Sequence, residues 1–328
     1  MDSIRVSVLI TTYNRCAMLC KAIDSALAQD YPEHLREIVV IDDGSTDDTR
    51  AVVGERYGDR VRYIHQPNGG INAACQFGFS QTRGDYVAQL DSDDWWYPGK
   101  LSATVPLLDE HPDVAAVIHD LDVFRPDKTG DTVWSGLRLT ITEAPCDGLA
   151  EYLAGNPVPA YSSGAVWRKS ALQKILPFPA GLETFNDTYC TRHILFFGRI
   201  CALKTPLGGY FVHSSNYYGG GVEKRSPARL EHGLRQVQVM KEAFDARCRE
   251  HGRRPSLRRE MIQKLALGDV NVKRQLQKGR RAAAAWVLRN ELEMPALARI
   301  QLLLNLYLPP RAAIFIKNRV IGRFVPMD

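Results

Sequence analysis

The sequence predicts an α/β protein: a mostly parallel, twisted sheet flanked by helices, with a helical C-terminal extension. Three observations carry this. Over residues 1–124 short apolar runs alternate with amphipathic stretches, as strands joined by crossover helices do. Several of those runs end in clusters of Asp, Ser, Thr and Gly, at the strand ends where open α/β sheets bind ligands. From Ser226 onward the pattern turns helical and the chain turns basic.

The elements follow in order. Val6–Ile10 is an apolar strand, and Arg15–Ala28 is amphipathic, with Leu19, Ile23 and Leu27 on one face at i, i+4 spacing. Glu37–Ile41 is the second strand and runs into Asp42-Asp43-Gly44-Ser45. Thr46–Glu55 is a helix with Ser45 or Thr46 as its N-cap. Val61–His65 is the third strand, Asn68-Gly69-Gly70 a turn, and Asn72–Thr82 a helix. Tyr86–Leu90 and Val114–His119 are the fourth and fifth strands, and Val123-Phe124 continue the extended path. Residues 125–220 are less regular. Strands are expected near Val133–Leu139, Ser163–Arg168 and Ile200–Leu203, helices over 169–176 and 187–197, and a mobile Gly/Ser/Tyr-rich loop over Gly208–Gly221. The best boundary falls at 221–226. It separates a domain of residues 1–222, with halves 1–124 and 125–222, from a helical region of residues 223–328.

With 328 residues, 45% of them hydrophobic, the chain can bury a sizeable core. No run approaches the roughly 20 apolar residues of a membrane span. The first strand starts close to the N-terminus, which leaves no room for a signal peptide. Seven cysteines are scattered singly, with no Cys-x-x-Cys pair. That pattern suits reduced thiols in a cytoplasmic protein and argues against a zinc site. Residues 1–224 hold 20 Lys and Arg against 28 Asp and Glu, a net of −8; residues 225–328 hold 22 against 9, a net of +13. A basic C-terminal third suits a membrane surface, a phosphorylated lipid or nucleic acid. A solvated helical face, or docking against the acidic N-terminal part, explains it equally well. No nucleic-acid-binding motif is present, so no nucleic-acid partner is expected. The tail over residues 297–328 is apolar and basic, with Ile316, Val320 and Phe324 at i+4 spacing beside Arg319 and Arg323. This suits an interfacial helix peripheral to an anionic membrane; packing against the domain or a second copy of the chain are the alternatives.

The strand ends carry the chemistry. Gly-x-Gly-x-x-Gly is absent after the first strand, which ends in Thr11-Thr12-Tyr13-Asn14 instead. A tyrosine and hydroxyls there suit stacking on a nucleobase and bonding its edge rather than a nicotinamide fingerprint. The second strand delivers Asp42 and Asp43, and one carboxylate there can accept a hydrogen bond from a base N–H or a ribose hydroxyl. The fourth strand ends in Asp91-Ser92-Asp93-Asp94, followed by Trp95-Trp96-Tyr97. Carboxylates brought to one spot repel unless a cation neutralises them. Hard oxygen ligands suit Mg²⁺ or Mn²⁺, held by one or two carboxylates plus substrate phosphates. The strand end is therefore expected to hold a metal–diphosphate site. The aromatic trio either stacks on a sugar ring or packs in the core.

In this order the segments Val6–Arg15, Ile38–Asp47, Asn68-Gly69-Gly70 to Gly78, and Arg83–Asp94 resemble the family 2 inverting glycosyltransferases of the GT-A fold, which use nucleotide-sugar donors. The resemblance continues more weakly through Ser162–Lys169 and Asn186-Asp187 to about residue 216; the C-terminal hundred residues lie outside it. It implies that Thr11, Tyr13 and Asp43 hold the nucleotide, Asp43 on the base. Asp91-Ser92-Asp93 looks like the family's Asp-x-Asp motif: Asp93 is the main ligand of Mn²⁺ or Mg²⁺, and Asp91 lies nearer the ribose or a metal-bound water. His213 would reach the metal or a phosphate, and Asp187, at a helix start, would be the catalytic base. Asn186 stands where the family usually has glutamate, and Cys75 where it commonly has arginine. The implied activity is single-sugar transfer from a nucleoside diphosphate sugar, UDP by default, to an unknown acceptor hydroxyl. The implied setting is bacterial cell-surface polysaccharide, glycolipid or other glycoconjugate synthesis. Gln-x-x-Arg-Trp, the mark of processive synthases, is absent. The rivals are a non-catalytic nucleotide-sugar-binding protein and a haloacid-dehalogenase-like phosphatase. The second requires an aspartate at the end of the first strand, where none stands.

Overall fold

A computed structural model of the chain describes residues 3–125, 130–213, 227–255, 283–284 and 287–288. These fall into two compact units. One comprises Met1–Tyr152 with Asn156–His213; the other joins Leu153–Gly155 to the described residues beyond His213.

The first unit is built on a nine-stranded sheet in the order β3-β2-β1-β4-β8-β6-β9-β5, with β7 paired to β6. Its strands are β1 (Val6–Thr12), β2 (Arg36–Asp42), β3 (Arg62–His65), β4 (Tyr86–Asp91), β5 (Trp95–Trp96), β6 (Val114–Phe124), β7 (Asp131–Thr132), β8 (Ala165–Arg168) and β9 (Arg199–Phe211). Helices α1 (Cys16–Leu27), α2 (Thr49–Tyr57), α3 (Ile71–Gln81), α4 (Lys100–Glu110), α5 (Gly148–Ala154), α6 (Lys169–Leu172) and α7 (Asn186–Ile194) connect them, and α8 (Pro227–Glu250) opens the C-terminal region. The expected architecture, a mostly parallel sheet flanked by helices with a helical extension, is the one observed.

β1 is central because every one of its residues is buried. An all-buried strand needs cover on both faces, which crossover helices supply. Val6, Val8 and Ile10 pack with Leu19, Ile23 and Ala26 of α1 and with Ile38 and Val40 of β2. Truncating a fully buried residue such as Ile23 to alanine would cost about 2–5 kcal/mol. The registers align the strand ends. Thr12 lies opposite Asp42 and Thr11 opposite Asp91, so the C-terminal ends of β1, β2 and β4 form one edge.

Five expectations are corrected. Helix α2 begins at Thr49, not Thr46, and Ser45 and Thr46 bond the end of β1 instead of capping it. Residues 133–139 are a turn and an irregular stretch, not a strand; the Trp134 amide donates to Asp120 (3.0 Å). Helix 187–197 starts at Asn186 and stops at Ile194, and helix 169–176 is confined to Lys169–Leu172. Gly208–Phe211, expected in a mobile loop, belong to β9. There a Cβ on Gly208 would lie 2.6 Å from the Trp95 carbonyl oxygen, and one on Gly209 would lie 2.4 Å from the Trp95 ring. The glycines mark close packing against β5 rather than freedom. Helix α4, which the sequence pattern did not predict, buries Leu101, Val105 and Leu108 around an internal Pro106. The remainder of the expected loop, the 221–226 boundary and the 297–328 tail lie outside the described residues. The seven cysteines form no disulfide, and no helix among the described residues is long and apolar enough to cross a membrane.

Candidate active site

The ends of β1 and β2 are tied into one ledge. Asn14 takes a left-handed backbone (φ 51°) that turns the chain over β2. Its amide donates to Ser45 Oγ (2.9 Å), and its Oδ1 accepts from the Thr46 amide (2.8 Å). Asp42 is fully buried, accepting from the Ser45 amide (2.7 Å) and from the Tyr63 hydroxyl. Asp43 accepts from Gln66 Nε2 (2.7 Å) and the Gly69 amide (2.9 Å) on Oδ1, and from the Gly70 amide (2.8 Å) on Oδ2. A carboxylate offers about four acceptor positions, so room remains for a further donor. Gly44 (φ +84°) is required, because a Cβ there would sit 2.7 Å from the Asn68 backbone nitrogen. Thr11 is buried at this edge, while Tyr13 beside it is 48% exposed. An exposed aromatic at a strand end is free to stack on a ligand.

The end of β4 differs. Asp94 is buried and fully engaged: its oxygens accept from Ser163 Oγ (2.6 Å) and from the Phe211 amide (2.9 Å). Burial, followed by the charges of Asp91 and Asp93, pushes its carboxyl well above the usual range. It pins β4 to β9 and to the turn before β8. Asp91 is pushed up to about 7, first by burial and then by the charges of Asp93 and Asp187. Asp93 Oδ2 accepts from an Arg15 guanidinium nitrogen (2.8 Å) and lies 3.0 Å from His213 Nε2. Ser92 is buried between them in sequence. Among the described residues no three His, Cys, Asp or Glu side chains are arranged to hold a metal by themselves. Asp91, Asp93 and His213 nonetheless present oxygen and imidazole donors around a surplus of negative charge. Such a set fits a divalent ion whose remaining ligands come from phosphate and water.

Asp187 stands in the first turn of α7, entered through Phe185 in a left-handed conformation (φ 68°). Burial raises its carboxyl above the usual range, while hydrogen bonding with Thr188 and the charge of Arg192 pull the other way. Its charge acts on Asp91, so the structure brings the expected base and the expected metal motif into electrostatic reach of each other. Helix α3 holds this region in place. Asn72 Nδ2 donates to the Leu182 (3.0 Å) and Thr184 (3.1 Å) carbonyls, and Gln76 accepts from the Phe178 amide (2.7 Å). The two positions that depart from the family pattern meet: Asn186 Nδ2 lies 3.2 Å from Cys75 Sγ. Burial, with Asp91 next, holds the Cys75 thiol far above its usual range, so it is neutral.

Three participants escaped the sequence reading. Arg15 was read only as a helix residue. Ser163 bonds both Asp94 and the Asp91 amide (3.1 Å), though it lies 69 and 72 residues from them in the chain. The Tyr161–Tyr210 pair, with ring centroids 6.0 Å apart, adjoins these carboxylates: Asp187 acts on Tyr161, and Asp91, Asp93 and Asp94 act on Tyr210. The aromatic trio packs. Trp96 is buried and donates to the Ser163 carbonyl (2.8 Å), the Trp95 ring packs tilted against Phe124, and the Tyr97 hydroxyl donates to Asp122 (2.7 Å).

Residues 7–176, over half of the chain, match the profile of glycosyl transferase family 2. The chain is 35% identical over 229 residues to an uncharacterized glycosyltransferase of Nostoc sp., covering 65% of this chain and 66% of that protein. It spans only 19% and 15% of the length of two further curated relatives it matches. TarS 1-349 of S. aureus in complex with UDP-GlcNAc superposes with a TM-score of 0.56 at 20% identity, over 96% of this chain and 92% of that one. The mannosyltransferase PcManGT of Pyrobaculum calidifontis, in complex with GDP-Man and Mn²⁺, superposes with 0.58 at 21% identity, over 100% and 89%. At such identities the likeness is one of fold, and the curled, mostly parallel sheet flanked by helices is the GT-A architecture. By its sequence profile and its architecture together, the chain belongs to glycosyl transferase family 2.

Proposed function

We propose that this chain is an inverting, metal-dependent glycosyltransferase. It moves one sugar from a nucleoside diphosphate donor, UDP by default, to an acceptor hydroxyl in surface polysaccharide, glycolipid or other glycoconjugate synthesis. The observation that carries this reading is the meeting of Asp187 with the Asp91–Asp93 pair at one sheet edge. A base and a cation-seeking carboxylate pair set side by side suit attack at a carbon whose leaving group is a diphosphate. Two proteins of similar fold bind such donors: TarS with UDP-GlcNAc, and PcManGT with GDP-Man and Mn²⁺.

Thr11, Tyr13 and Asp43 hold the nucleoside, Tyr13 by its exposed ring and Asp43 by its remaining acceptor positions. Asp93, with His213 and Asp91, would hold Mn²⁺ or Mg²⁺. Bound there, the ion supplies charge to offset what develops on the departing diphosphate. Arg15, already on Asp93, orients that carboxylate. Asp187 takes the acceptor proton. Burial makes it a stronger base than a solvated carboxylate, and Arg192 and Thr188 favour its ionised form.

The test is a screen of UDP-, dTDP- and GDP-sugars for turnover with Mn²⁺, with Mg²⁺ and with chelator, reading the anomeric configuration of the product. Metal-dependent turnover with inverted configuration is expected. Retained configuration, or chelator-insensitive turnover, contradicts the reading.

A further inference from the structure

Helix α3 touches the β2 ledge, the sheet and the approach to Asp187 at once. The turn that enters it is fixed by Asp43, which accepts from the Gly69 and Gly70 amides (2.9 and 2.8 Å). One face lies so close on the sheet that a Cβ on Gly78 would stand 2.6 Å from Leu9 Cδ1. A second face carries Asn72, Cys75, Gln76 and Phe79 at i, i+3, i+4 and i+7. That face meets the chain leading from α6 into α7. Residues 173–185 form no helix or strand there, and they deliver Asp187. Gln76 accepts from the Phe178 amide (2.7 Å), the Phe79 and Phe178 rings meet edge to face at 6.4 Å, and Cys75 Sγ lies 3.2 Å from Asn186 Nδ2.

Asn72 holds this chain at two points. Its Nδ2 donates to the Leu182 (3.0 Å) and Thr184 (3.1 Å) carbonyls, so one amide group pins two backbone oxygens two residues apart. Phe185, next in the chain, takes its left-handed turn (φ 68°) into α7, and Asp187 stands in the first helical turn. Asn72 is buried, and its Oδ1 accepts no hydrogen bond among the described residues. An amide buried with an unmatched oxygen costs stability that an apolar side chain of similar size would not. The two donated bonds offset that cost, and both fall on the backbone that carries the base.

From this we infer that Asn72 is a positioning residue for the transfer reaction: it fixes the carboxylate of Asp187 for proton abstraction and acts through that residue. The inference rests on Asp187 being the base. A misplacement of about 1 Å at a reacting group can cost about 10²-fold in rate. Loss of the clamp therefore shows in the chemical step rather than in nucleotide affinity.

The experiment is a double-mutant cycle on the full-length protein. Turnover is read as release of nucleoside diphosphate from the sugar nucleotide that the donor screen consumes fastest, with Mn²⁺ and with water as acceptor. Asn72→Ala is expected to lower kcat by about 10- to 100-fold, with UDP affinity by calorimetry changed less than about twofold. In the Asp187→Asn background the same substitution should change the residual kcat less than about twofold, because the group it places is gone. A residue that only stabilises the fold would act by the same factor in both backgrounds. That outcome, wild-type kcat in Asn72→Ala, or UDP affinity weakened about tenfold overturns the inference. Should Asn72→Ala not fold, Asn72→Ser takes its place in the cycle. Its single hydroxyl donates to one carbonyl at most, so a smaller loss is expected, again confined to proteins that keep Asp187. Turnover that survives Asp187→Asn removes the base and the inference with it. A full loss in Asp187→Asn, with equal factors in the two backgrounds, overturns the inference alone.

Discussion

At the end of β2, Asp42 and Asp43 face amide and hydroxyl donors that the protein itself supplies. At the end of β4, Asp91 faces two other carboxylates, Asp93 and Asp187. The first arrangement is complete without a ligand. Its carboxylates knit the loops of β1, β2 and β3 into a ledge, and under the proposed function a nucleoside would add to acceptors already oriented. The second is incomplete. Arg15 and His213 engage Asp93, but burial, and then the charges of Asp93 and Asp187, still disfavour ionisation of Asp91. Two strand ends rich in aspartate thus serve different ends, and the difference lies in their donors rather than in their composition. Asp94, though at the β4 end, belongs with the first kind.

The largest expected effect comes from Asp187→Asn. Loss of a general base should lower kcat by about 10²–10⁴-fold, with UDP affinity changed less than about twofold. Steady-state kinetics beside UDP calorimetry would show it; retention of most activity would move the base elsewhere.

The β2 ledge should break in stability rather than in chemistry. Asp43→Ala strands the Gly69, Gly70 and Gln66 donors and should cost about 1–3 kcal/mol in urea unfolding without nucleotide. Gly44→Ala should cost a similar amount, about 1–3 kcal/mol, through its left-handed backbone and the clash with Asn68. Wild-type stability in Asp43→Ala would make Asp43 a ligand-only group and erase the contrast between the two strand ends.

The pH dependence is smaller. Asp187 must be ionised to act, and its carboxyl is raised, so kcat/KM should climb with pH to a plateau, with its midpoint above the usual carboxylate value of about 4. A raised acid stabilises the fold while protonated, and that contribution is lost as pH rises through its folded value. Asp187→Asn should therefore gain melting temperature over wild type as pH rises from about 4 to about 8. A difference that shrinks over that interval would mean that Asp187 is not desolvated.

Asp94→Asn should do least. Burial favours the neutral carboxyl, and an amide can keep the Phe211 and Ser163 contacts, so a change below about 1 kcal/mol is expected. A loss as large as that of Asp43→Ala would show that Asp94 is ionised and part of the cation site.

Much of this was legible in the chain. β1 to β4 declare themselves by short apolar runs, and their ends by clustered Asp, Thr and Gly, because buried strands and ligand-facing turns demand those residues. α4 was not legible: Pro106 interrupts the pattern, and Lys100 at its start is fully buried against the Trp96 ring, a place sequence reserves for apolar residues. β9 was read short because Pro206, Gly208 and Gly209 look like loop, whereas the glycines make room for Trp95. Within the site, Asp43, Asp91, Asp93 and Asp187 follow from motif order. Ser163, Arg15 and the meeting of Cys75 with Asn186 do not, since they depend on contacts between residues 70 or more apart in the chain.

The contrast between the strand ends is tested most directly by UDP calorimetry on wild type and Asp93→Ala, each with Mn²⁺ and with chelator. Wild type should bind UDP at least about tenfold more tightly with metal than without it, and Asp93→Ala should bind weakly and equally in both conditions. Equal, metal-independent affinities in both proteins would contradict a cation site at the end of β4.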